Sequence, residues 1–433
     1  MISVIISGIT LAVMILSILF FPKLRIGRIH LSTYWIVSSA GAIALLAAGQ
    51  AKLSAVVSAL TADNAINPAK ILVLFISMTV LSIYLDELGF FRYLANATLK
   101  RAGSNQYKLF LYLYIIVSVL TVFTSNDIII LSFTPFICYF AKNAKISAIP
   151  YLAAEFVAAN TWSMALIIGN PTNIYIATAY EIGFVEYVKT MVLPTLLAGT
   201  VAFIALFLMF RKKLTEPISG TAEDVAIKDR KKLVIGIAHL AACTVALAVS
   251  SYIPGAEMWA IALGAVVCLF ACASVYGLVV RSKPKELARC LSRAPWELIP
   301  FVLSMFIIIV VLSENGATVK IAEFLGRDAS VWSYGAASFL SANVVNNIPM
   351  SVLFCKVIQS VTEATASGAA YAAIVGSNLG ALLTPFGALA GIMWSSILNE
   401  HKLKFGYADF LKIGVAVAIP ALAAALAMLY VIV

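Results

Sequence analysis

Long apolar stretches, separated by short charged or turn-rich breaks, make up most of the chain. They are rich in Leu, Ile, Val, Ala and Phe and lack the alternation of barrel strands, so each is predicted to be an α-helix that satisfies its own backbone hydrogen bonds. A bilayer core of about 30 Å needs about 20 such residues in helix. The predicted spans are residues 2–21, 30–49, 70–85, 109–123, 128–141, 149–180, 192–210, 233–253, 259–280, 297–313, 333–342, 348–361, 369–398 and 409–433.

Two pairs of these stretches are short and closely spaced. Residues 109–123 and 128–141 are joined by a short polar tip, and so are residues 333–342 and 348–361. Each stretch is too short to cross a bilayer by itself. Each pair is therefore predicted to be a re-entrant helical hairpin, which enters and leaves the membrane on the same side.

Two further stretches are interrupted by residues that break helices. Gly169-Asn170-Pro171-Thr172-Asn173 lies within residues 149–180, and Gly376-Ser377-Asn378, followed by Thr384-Pro385, lies within residues 369–398. Proline removes a backbone donor and glycine permits non-helical dihedrals, so carbonyl groups and half-helix ends become available to a ligand. Both stretches are predicted to be broken transmembrane helices.

Composition indicates that lipid, and not water, surrounds most of the chain. Hydrophobic residues make up 62% of the 433 and charged residues 12%, whereas a soluble domain has about 45–50% and about 25%. This excludes a cytosolic enzyme, a secreted disulfide scaffold and a disordered chain. The sequence contains no CxxC pair, phosphate-binding loop, nucleophile elbow or HExxH motif. No enzyme activity and no cofactor are expected, so energy must come from an ion gradient or a partner.

The placement of basic residues predicts the orientation. The 30 Lys and Arg residues, which contribute to a formal net charge of +10, lie in short runs between the spans. This is typical of a multi-pass protein of the cell (inner or plasma) membrane and does not indicate nucleic-acid binding. With both termini outside, the basic residues on the outer side are Lys52, Lys70, Lys189, Lys320, Arg327 and Lys356. Both termini are therefore predicted to be extracytoplasmic, with a cytoplasmic linker over residues 211–232.

An internal repeat supports this arrangement. The pattern L-x-E-x-G at residues 85–89 recurs at residues 312–316, and each copy precedes an amphipathic stretch, a hairpin with an Asn-rich tip and a broken helix. The predicted units are residues 1–220 (scaffold helices 1–108, hairpin and broken helix 109–180, span 192–210) and residues 233–433 (hairpin and broken helix 333–398). The predicted fold is an all-α polytopic membrane protein of two inverted repeats, each with scaffold helices, a re-entrant helical hairpin and a broken transmembrane helix.

The polar residues of the tips and breaks are the candidate binding site. Burying an unpaired amide or hydroxyl costs roughly 2–7 kcal/mol, and helix capping accounts for only part of their number. The candidate substrate- or ion-binding residues are Thr124, Ser125, Asn126, Asp127, Asn160, Gly169, Asn170, Pro171, Thr172, Asn173, Asn343, Asn346, Asn347, Gly376, Ser377, Asn378, Thr384 and Pro385. Sodium at the Ser125/Asn126 and Asn346/Asn347 tips is one alternative. Glu155 ranks below Asp127, because a position six residues into a span allows snorkelling or pairing with Lys145.

These motifs resemble the ion transporter superfamily, which includes divalent anion:sodium symporters, NhaD-type sodium/proton antiporters and ArsB-type arsenite permeases. The resemblance to ArsB is carried by Leu85-Asp86-Glu87-x-Gly89-Phe90-Phe91, Asn126-Asp127, Arg293-Ala294-Pro295-Trp296, Asn346-Asn347-Ile348-Pro349 and Thr384-Pro385-x-Gly387. The break at residues 169–173 is more similar to the anion transporters. Where ArsB-like sequences place acidic residues in the broken helices, this chain has Asn160 and Asn378, a difference that concerns proton or cation coupling.

The resemblance implies a scaffold domain and a mobile transport domain that work as an elevator, commonly in a homodimer. Its first functional implication is extrusion of arsenite or antimonite driven by the proton gradient. The alternatives are a sodium-coupled symporter of carboxylates or inorganic anions and a sodium/proton antiporter with Asp127 as the titratable carrier. A channel and an intramembrane enzyme fit the inverted repeat and the residue pattern less well. Docking of an ATPase subunit on residues 211–232 is left open.

Overall fold

The protein is described by a computed structural model that covers residues 2–21, 23–26, 29–62, 67–215, 218, 227, 229–282, 285–326 and 330–433. The helices of the first half are α1 Ile2–Phe20, α2 Thr33–Ala47, α3 Leu53–Thr61, α4 Pro68–Glu87, α5 Phe90–Ala102, α6 Gln106–Phe123, α7 Asn126–Ala144, α8 Ile149–Trp162, α9 Pro171–Ala179 and α10 Phe184–Phe210. Those of the second half are α11 Arg230–Ser250, α12 Met258–Val279, α13 Lys285–Arg293, α14 Leu298–Glu314, α15 Ala317–Leu325, α16 Val331–Val345, α17 Asn347–Ile358, α18 Glu363–Gly380, α19 Leu389–Glu400 and α20 Tyr407–Ile432. Arg327 and most of the predicted linker lie outside the described residues.

The apolar stretches form helices, as the pattern predicts, and the sequence analysis missed three short elements. Strands β1 Lys23–Ile26 and β2 Ile29–Ser32 form an antiparallel hairpin, so the predicted start of a span at residue 30 is wrong. The helices α3 and α13 were also not predicted. All three elements are too short or too polar to give a spanning pattern, and the molecule is otherwise helical.

Seven described helical segments are long and apolar enough to cross a membrane: Pro68–Glu87, Gln106–Phe123, Phe184–Leu214, Arg230–Ser250, Met258–Val279, Lys285–Glu314 and Tyr407–Ile432. One of them is α6, which the sequence analysis judged too short. The helix begins earlier than predicted because Asn105 caps it, accepting a hydrogen bond from the Lys108 backbone N–H at 3.0 Å. Its length of 18 residues reaches the lower end of the spanning range.

The two halves repeat the same order of ten helices, and the L-x-E-x-G motifs adopt the same conformation. Gly89 (φ 79°) and Gly316 (φ 75°) each connect a long helix to a short amphipathic one, through a backbone conformation that favours glycine. Packing between the halves is reciprocal: α2 contacts α14 as α12 contacts α4, and α7 contacts α19 as α17 contacts α9. The fold is a pair of inverted repeats, while the residue boundaries given above stay predictions.

Both hairpins reverse the chain. Tyr151, near the start of α8, donates a hydrogen bond to Gln106 at the start of α6 (2.7 Å). The chain therefore comes back along α7 to the end where α6 began. In the second half α16 and α18 run side by side, and a Cβ on Gly376 would overlap the Ser338 side chain and the Gly335 carbonyl. Gly376 thus allows α18 to pack closely against α16, as small residues commonly do between helices in membranes.

Ion pairs connect α4 to the second half at both of its ends. Arg293 of α13 donates to Asp86 Oδ2 (2.7 Å) and Glu87 Oε1 (2.5 Å). At the other end, Lys70 Nζ lies 2.8 Å from Glu257 Oε2. Ion pairs therefore attach both ends of α4 to the second half of the protein.

Candidate functional site

The first helix break lies earlier than predicted. The α8 helix ends at Trp162, two 3₁₀ turns occupy Ser163–Ala165 and Ile167–Gly169, and α9 begins at Pro171. The predicted interruption at 169–173 is therefore wrong in its second half. Proline is well suited to the first turn of a helix, where its missing N–H is not needed. Asn170 caps this turn by accepting a hydrogen bond from the Thr172 N–H (3.2 Å).

The second break lies later than predicted. The α18 helix continues through Gly376, Ser377 and Asn378 to Gly380, so the predicted interruption at 376–378 is wrong. The glycine there serves packing against α16 and does not end the helix. The chain leaves helical geometry over residues 381–388, which contain Thr384 and a 3₁₀ turn at Pro385–Gly387. The predicted part of the break at Thr384-Pro385 is confirmed.

The hairpin tips are shorter than predicted. In the first hairpin, Thr124 and Ser125 separate α6 from α7. In the second, Asn346 alone separates α16 from α17, and Asn343 lies in the last turn of α16.

Asn346 has strained backbone geometry. Its φ of 72° and ψ of 153° fall in a region that is essentially reserved for glycine, at a cost of about 1–3 kcal/mol. Its side chain offsets part of this cost: Nδ2 donates to the Phe386 carbonyl (3.0 Å), and Oδ1 accepts from the Ile348 N–H (3.3 Å). The second tip is thereby attached to the second break.

A buried amide network centred on Asn378 joins the two broken helices. Asn378 Oδ1 accepts from Ser163 Oγ (2.8 Å) and from Asn170 Nδ2 (2.9 Å). Its Nδ2 donates to Asn173 Oδ1 (2.7 Å) and to the Ile374 carbonyl (2.8 Å). The Asn378 side chain therefore uses both donors and accepts twice, so it holds the two breaks in a fixed arrangement.

Each tip also contacts a break or the helix that precedes it. Asn126 Nδ2 donates to Asn160 Oδ1 (3.1 Å) in the first half. In the second half, Asn343 Nδ2 donates to the Gly380 carbonyl (3.0 Å), and Thr384 Oγ1 donates to Asn343 Oδ1 (2.7 Å). The structure thus brings most of the predicted polar residues into one region. Sequence reasoning missed Ser163, although a hydroxyl three residues after Asn160 could have indicated it.

Four buried polar atoms near this network have no hydrogen-bond partner among the described residues. They are Ser125 Oγ at the first tip, Asn347 Oδ1 at the second, Ser377 Oγ next to Asn378, and Thr161 Oγ1 next to Asn160. Buried polar groups are usually paired, so such atoms are available to a ligand. Thr161 was also missed by sequence reasoning. The predicted residues therefore divide into a self-paired network and a smaller set with free capacity.

The two acidic residues of the region differ in burial: Asp127 at the first tip is partly exposed, and Glu155 in α8 is fully buried. Asp127 is partly exposed, and its carboxylate makes no hydrogen bond or ion pair with any described residue. It lies within electrostatic range of Tyr34 on α2. Glu155, expected near the surface beside Lys145, is fully buried and accepts a hydrogen bond from Thr134 Oγ1 (2.8 Å).

A narrow apolar crevice of about 20 Å³ lies where α4 and α14 face α9 and α17. Its walls are mainly aliphatic and aromatic, with Thr172, Tyr175 and Ser351 as the polar members. At this crevice α9 and α17 therefore meet α4 and α14 mainly through apolar side chains, whereas α7 is attached to the end of α4 by a hydrogen bond from Ser132 Oγ to Asp86 Oδ1 (2.6 Å).

Inverted repeats with polar tips and broken helices that meet inside a bundle of membrane-spanning helices define a multi-pass membrane transporter. The chain belongs to the citrate transporter (CitMHS) family, whose model matches residues 29–376.

Similar proteins agree with this family. An arsenical pump membrane protein of Escherichia coli is 27% identical over 82% of this chain and 84% of its own length. A putative arsenical pump membrane protein of Bacillus subtilis is 22% identical over 78% and 82%. The crystal structure of the Alcanivorax borkumensis YdaH transporter has the same overall fold, with a TM-score of 0.56, 13% identity, and coverage of 99% of this chain and 97% of that one.

Proposed function

We propose that the protein exports arsenite and antimonite across the cell membrane, driven by the proton gradient and by an elevator motion. The arsenical pumps of E. coli and B. subtilis, which align over most of this chain, support the substrate class. The orientation with both termini outside stays a prediction. Dimer formation and docking of an ATPase subunit on residues 211–232 stay predictions.

The neutral character of the site carries the choice of substrate. The groups with free hydrogen-bonding capacity are hydroxyl and amide oxygens, and the surrounding network consists of Asn, Ser and Thr. Arsenite is the uncharged acid As(OH)3 at neutral pH, so its three hydroxyl groups match such partners. A multiply charged carboxylate would need a cation beside these neutral groups to offset its desolvation.

The elevator motion is supported by the contrast between two contacts. The breaks are fixed to each other by the buried Asn378 network, so they can move together. The crevice toward α4 and α14 is mainly apolar, so sliding there breaks few hydrogen bonds. In this mechanism α4 and α14 belong to the scaffold, and the hairpins with α8, α9, α18 and α19 carry the substrate.

A sodium-coupled carboxylate symporter is the second candidate. Ser125 Oγ and Asn347 Oδ1 are unpartnered oxygens at the two tips, and oxygen ligands suit hard cations. The name of the family model also points to citrate. A sodium/proton antiporter that uses the unpaired Asp127 carboxylate comes third.

Transport into everted membrane vesicles tests the proposal. Arsenite accumulation is measured by elemental mass spectrometry with an imposed pH gradient and again with a protonophore. Labelled citrate in vesicles with a sodium gradient tests the second candidate. Gradient-dependent arsenite accumulation that the protonophore abolishes is expected. Citrate uptake that requires sodium, without arsenite accumulation, would refute the proposal in favour of the symporter.

A matched pair of variants links transport to the site. Asn347→Ala removes a free acceptor and should raise the arsenite concentration for half-maximal transport about two- to tenfold, as loss of one hydrogen bond predicts. Asn399→Ala changes an exposed residue of α19 and should leave this concentration unchanged. Equal values for both variants would remove Asn347 from the binding site.

A further inference from the structure

Glu155 is a carboxyl group buried inside the helices that carry the site. Its side chain is 0% exposed in the middle of α8. One oxygen, Oε1, accepts a hydrogen bond from Thr134 Oγ1 on α7 at 2.8 Å. The other oxygen, Oε2, is buried and has no hydrogen-bond partner among the described residues. A group with this geometry is rare in a folded protein unless something binds to it.

Among the described residues, none supplies a counter-ion to Glu155. The neighbouring side chains are Thr134 and Cys138 of α7 and the indole of Trp394 of α19. Cys138 is a neutral thiol, and no Lys, Arg or His of the described residues pairs with Glu155. Helices α6, α10 and α18 also pack on α8 and supply no charged partner. A permanent negative charge here would be uncompensated, at a cost of several kcal/mol.

The donor set distinguishes between the two species that could neutralise this charge. A metal cation such as sodium or calcium needs about six oxygen ligands. The side-chain oxygens on hand are the two of Glu155 and the hydroxyl of Thr134, and an indole offers no acceptor. A proton needs only one oxygen, and Oε2 accepts no hydrogen bond of normal geometry among the described residues, although the equally unpartnered indole N–H of Trp394 adjoins the carboxyl group.

The position of Glu155 connects it to the site without placing it in the site. It precedes Asn160 by five residues on α8, about 7.5 Å along a helix. Asn160 pairs with Asn126, whose chain neighbour is Asp127. The Thr134 hydrogen bond attaches Glu155 to the outgoing arm of the first hairpin. Any movement of that arm relative to α8 therefore changes the environment of the carboxyl group.

We propose that Glu155 is a proton-binding site of the transport cycle, separate from Asp127. A proton from the aqueous phase adds to Oε2 and gives a neutral acid; release of the same proton after the helices that carry the substrate, α7 and α8 among them, have moved restores the carboxylate. This inference rests on the proposed proton-coupled function. Asp127, which is partly exposed and unpaired, is then left to face substrate or solvent.

Purified protein in proteoliposomes tests the site with two readouts. Arsenite exchange at equal concentrations on both sides requires no net proton movement, whereas accumulation under a pH gradient does. Glu155→Gln should keep exchange within about twofold and lose gradient-driven accumulation. The control Glu186→Gln changes an exposed carboxyl on α10 and should keep both. Gradient-driven accumulation that persists in Glu155→Gln would overturn the proposal.

A spectroscopic measurement separates this proposal from the transport assay. Infrared difference spectra of the protein between pH 5 and 9 should contain a carbonyl band of a buried protonated carboxyl that is missing from Glu155→Gln. Thr134→Val, which removes only the hydroxyl hydrogen bond, should shift this band. If the parent protein moves no arsenite but shows the band, the proposed substrate fails and the proton site stands. If the band is the same in Glu155→Gln, the proton site fails.

Discussion

The substitution Asn378→Asp tests the hydrogen-bond network around Asn378, because it replaces the side-chain amide nitrogen with an oxygen and should lower the stability of the protein. Asn378→Asp keeps the size of the side chain and the carbonyl oxygen that accepts from Ser163 and Asn170. It removes the amide that donates to Asn173 Oδ1 and to the Ile374 carbonyl. An ionised carboxylate has no donor, so Asn173 Oδ1 keeps only the longer hydrogen bond from Thr172 Oγ1 (3.5 Å) and faces a negative charge. The Ile374 carbonyl keeps the backbone hydrogen bond that it makes within α18.

The magnitude follows from the number of groups affected. A buried acceptor left without a good donor costs about 1–3 kcal/mol, and Asn173 Oδ1 is the one acceptor affected in this way, so the ionised form should lose about 1–3 kcal/mol. The protonated form has one O–H and can restore the hydrogen bond to Asn173 Oδ1, which recovers most of this loss. The protein with Asn378→Asp should therefore be most stable at low pH, and its stability should fall as the pH rises, because folding favours the protonated side chain.

Thermal unfolding in detergent, followed by tryptophan fluorescence between pH 5 and 8, measures this effect. The unfolding temperature of Asn378→Asp should decrease relative to the parent protein as the pH rises. Asn399→Asp is the matched control, because Asn399 is exposed on α19. An Asn378→Asp protein as stable as the parent at pH 8, with the pH dependence of the control, would refute the assignment of a stabilising network to Asn378.

Three further predictions concern packing, strain and charge. Gly376→Ala should destabilise the protein by about 1–3 kcal/mol, because the new Cβ overlaps α16. Gly264→Ala is the control and should not destabilise the protein, because the space around Gly264 is open. Comparison of the unfolding temperatures of the two variants tests this prediction. Asn346→Gly should be more stable than Asn346→Ala by about 1–3 kcal/mol. Both variants lose the side-chain hydrogen bonds of Asn346, but only alanine keeps the backbone strain at this position. Equal unfolding temperatures of the two variants would show that the backbone at residue 346 is not strained. Arg293→Met should cost up to about 1 kcal/mol, because Asp86 and Glu87 lose their shortest ion pairs in a partly exposed position. Salt titration of the unfolding temperature should show a weaker dependence than in the parent protein.

The spanning helices and the hairpins could be predicted from the sequence because their signal is local. Apolar length gives the spans, and a short polar tip between two short stretches gives a hairpin. The positions of the breaks could be predicted only approximately, because Pro and Gly can interrupt a helix but can also serve within one, Pro in its first turn and Gly at a close helix contact. Pro171 starts a helix and Gly376 packs one against another, and only the neighbouring helix decides between these uses and a break.

The pairing inside the site could not be predicted. Asn160 and Asn378 are each the third residue from the end of their helix, yet Asn160 pairs with its own hairpin tip and Asn378 pairs with the other half of the protein. Equivalent residues in a repeat thus have different partners, which depends on how the halves dock. The burial of Glu155 was missed for a similar reason, since its distance from the end of a span says nothing about the helices that cover it.

Some contacts of the first half can form only after the second half has been synthesised. Asn173 and Asn378 are 205 residues apart, and Asp86 is 207 residues from Arg293. At about 5–20 residues per second, these partners emerge roughly 10–40 s later, when the first hairpin and break have already entered the bilayer. During this interval the amides of the first break and the acids at the end of α4 have no partner from the second half, so they are the groups most dependent on protection by lipid, water or an insertion factor. Biogenesis of this transporter should therefore be most vulnerable to truncation or delay between α10 and α18.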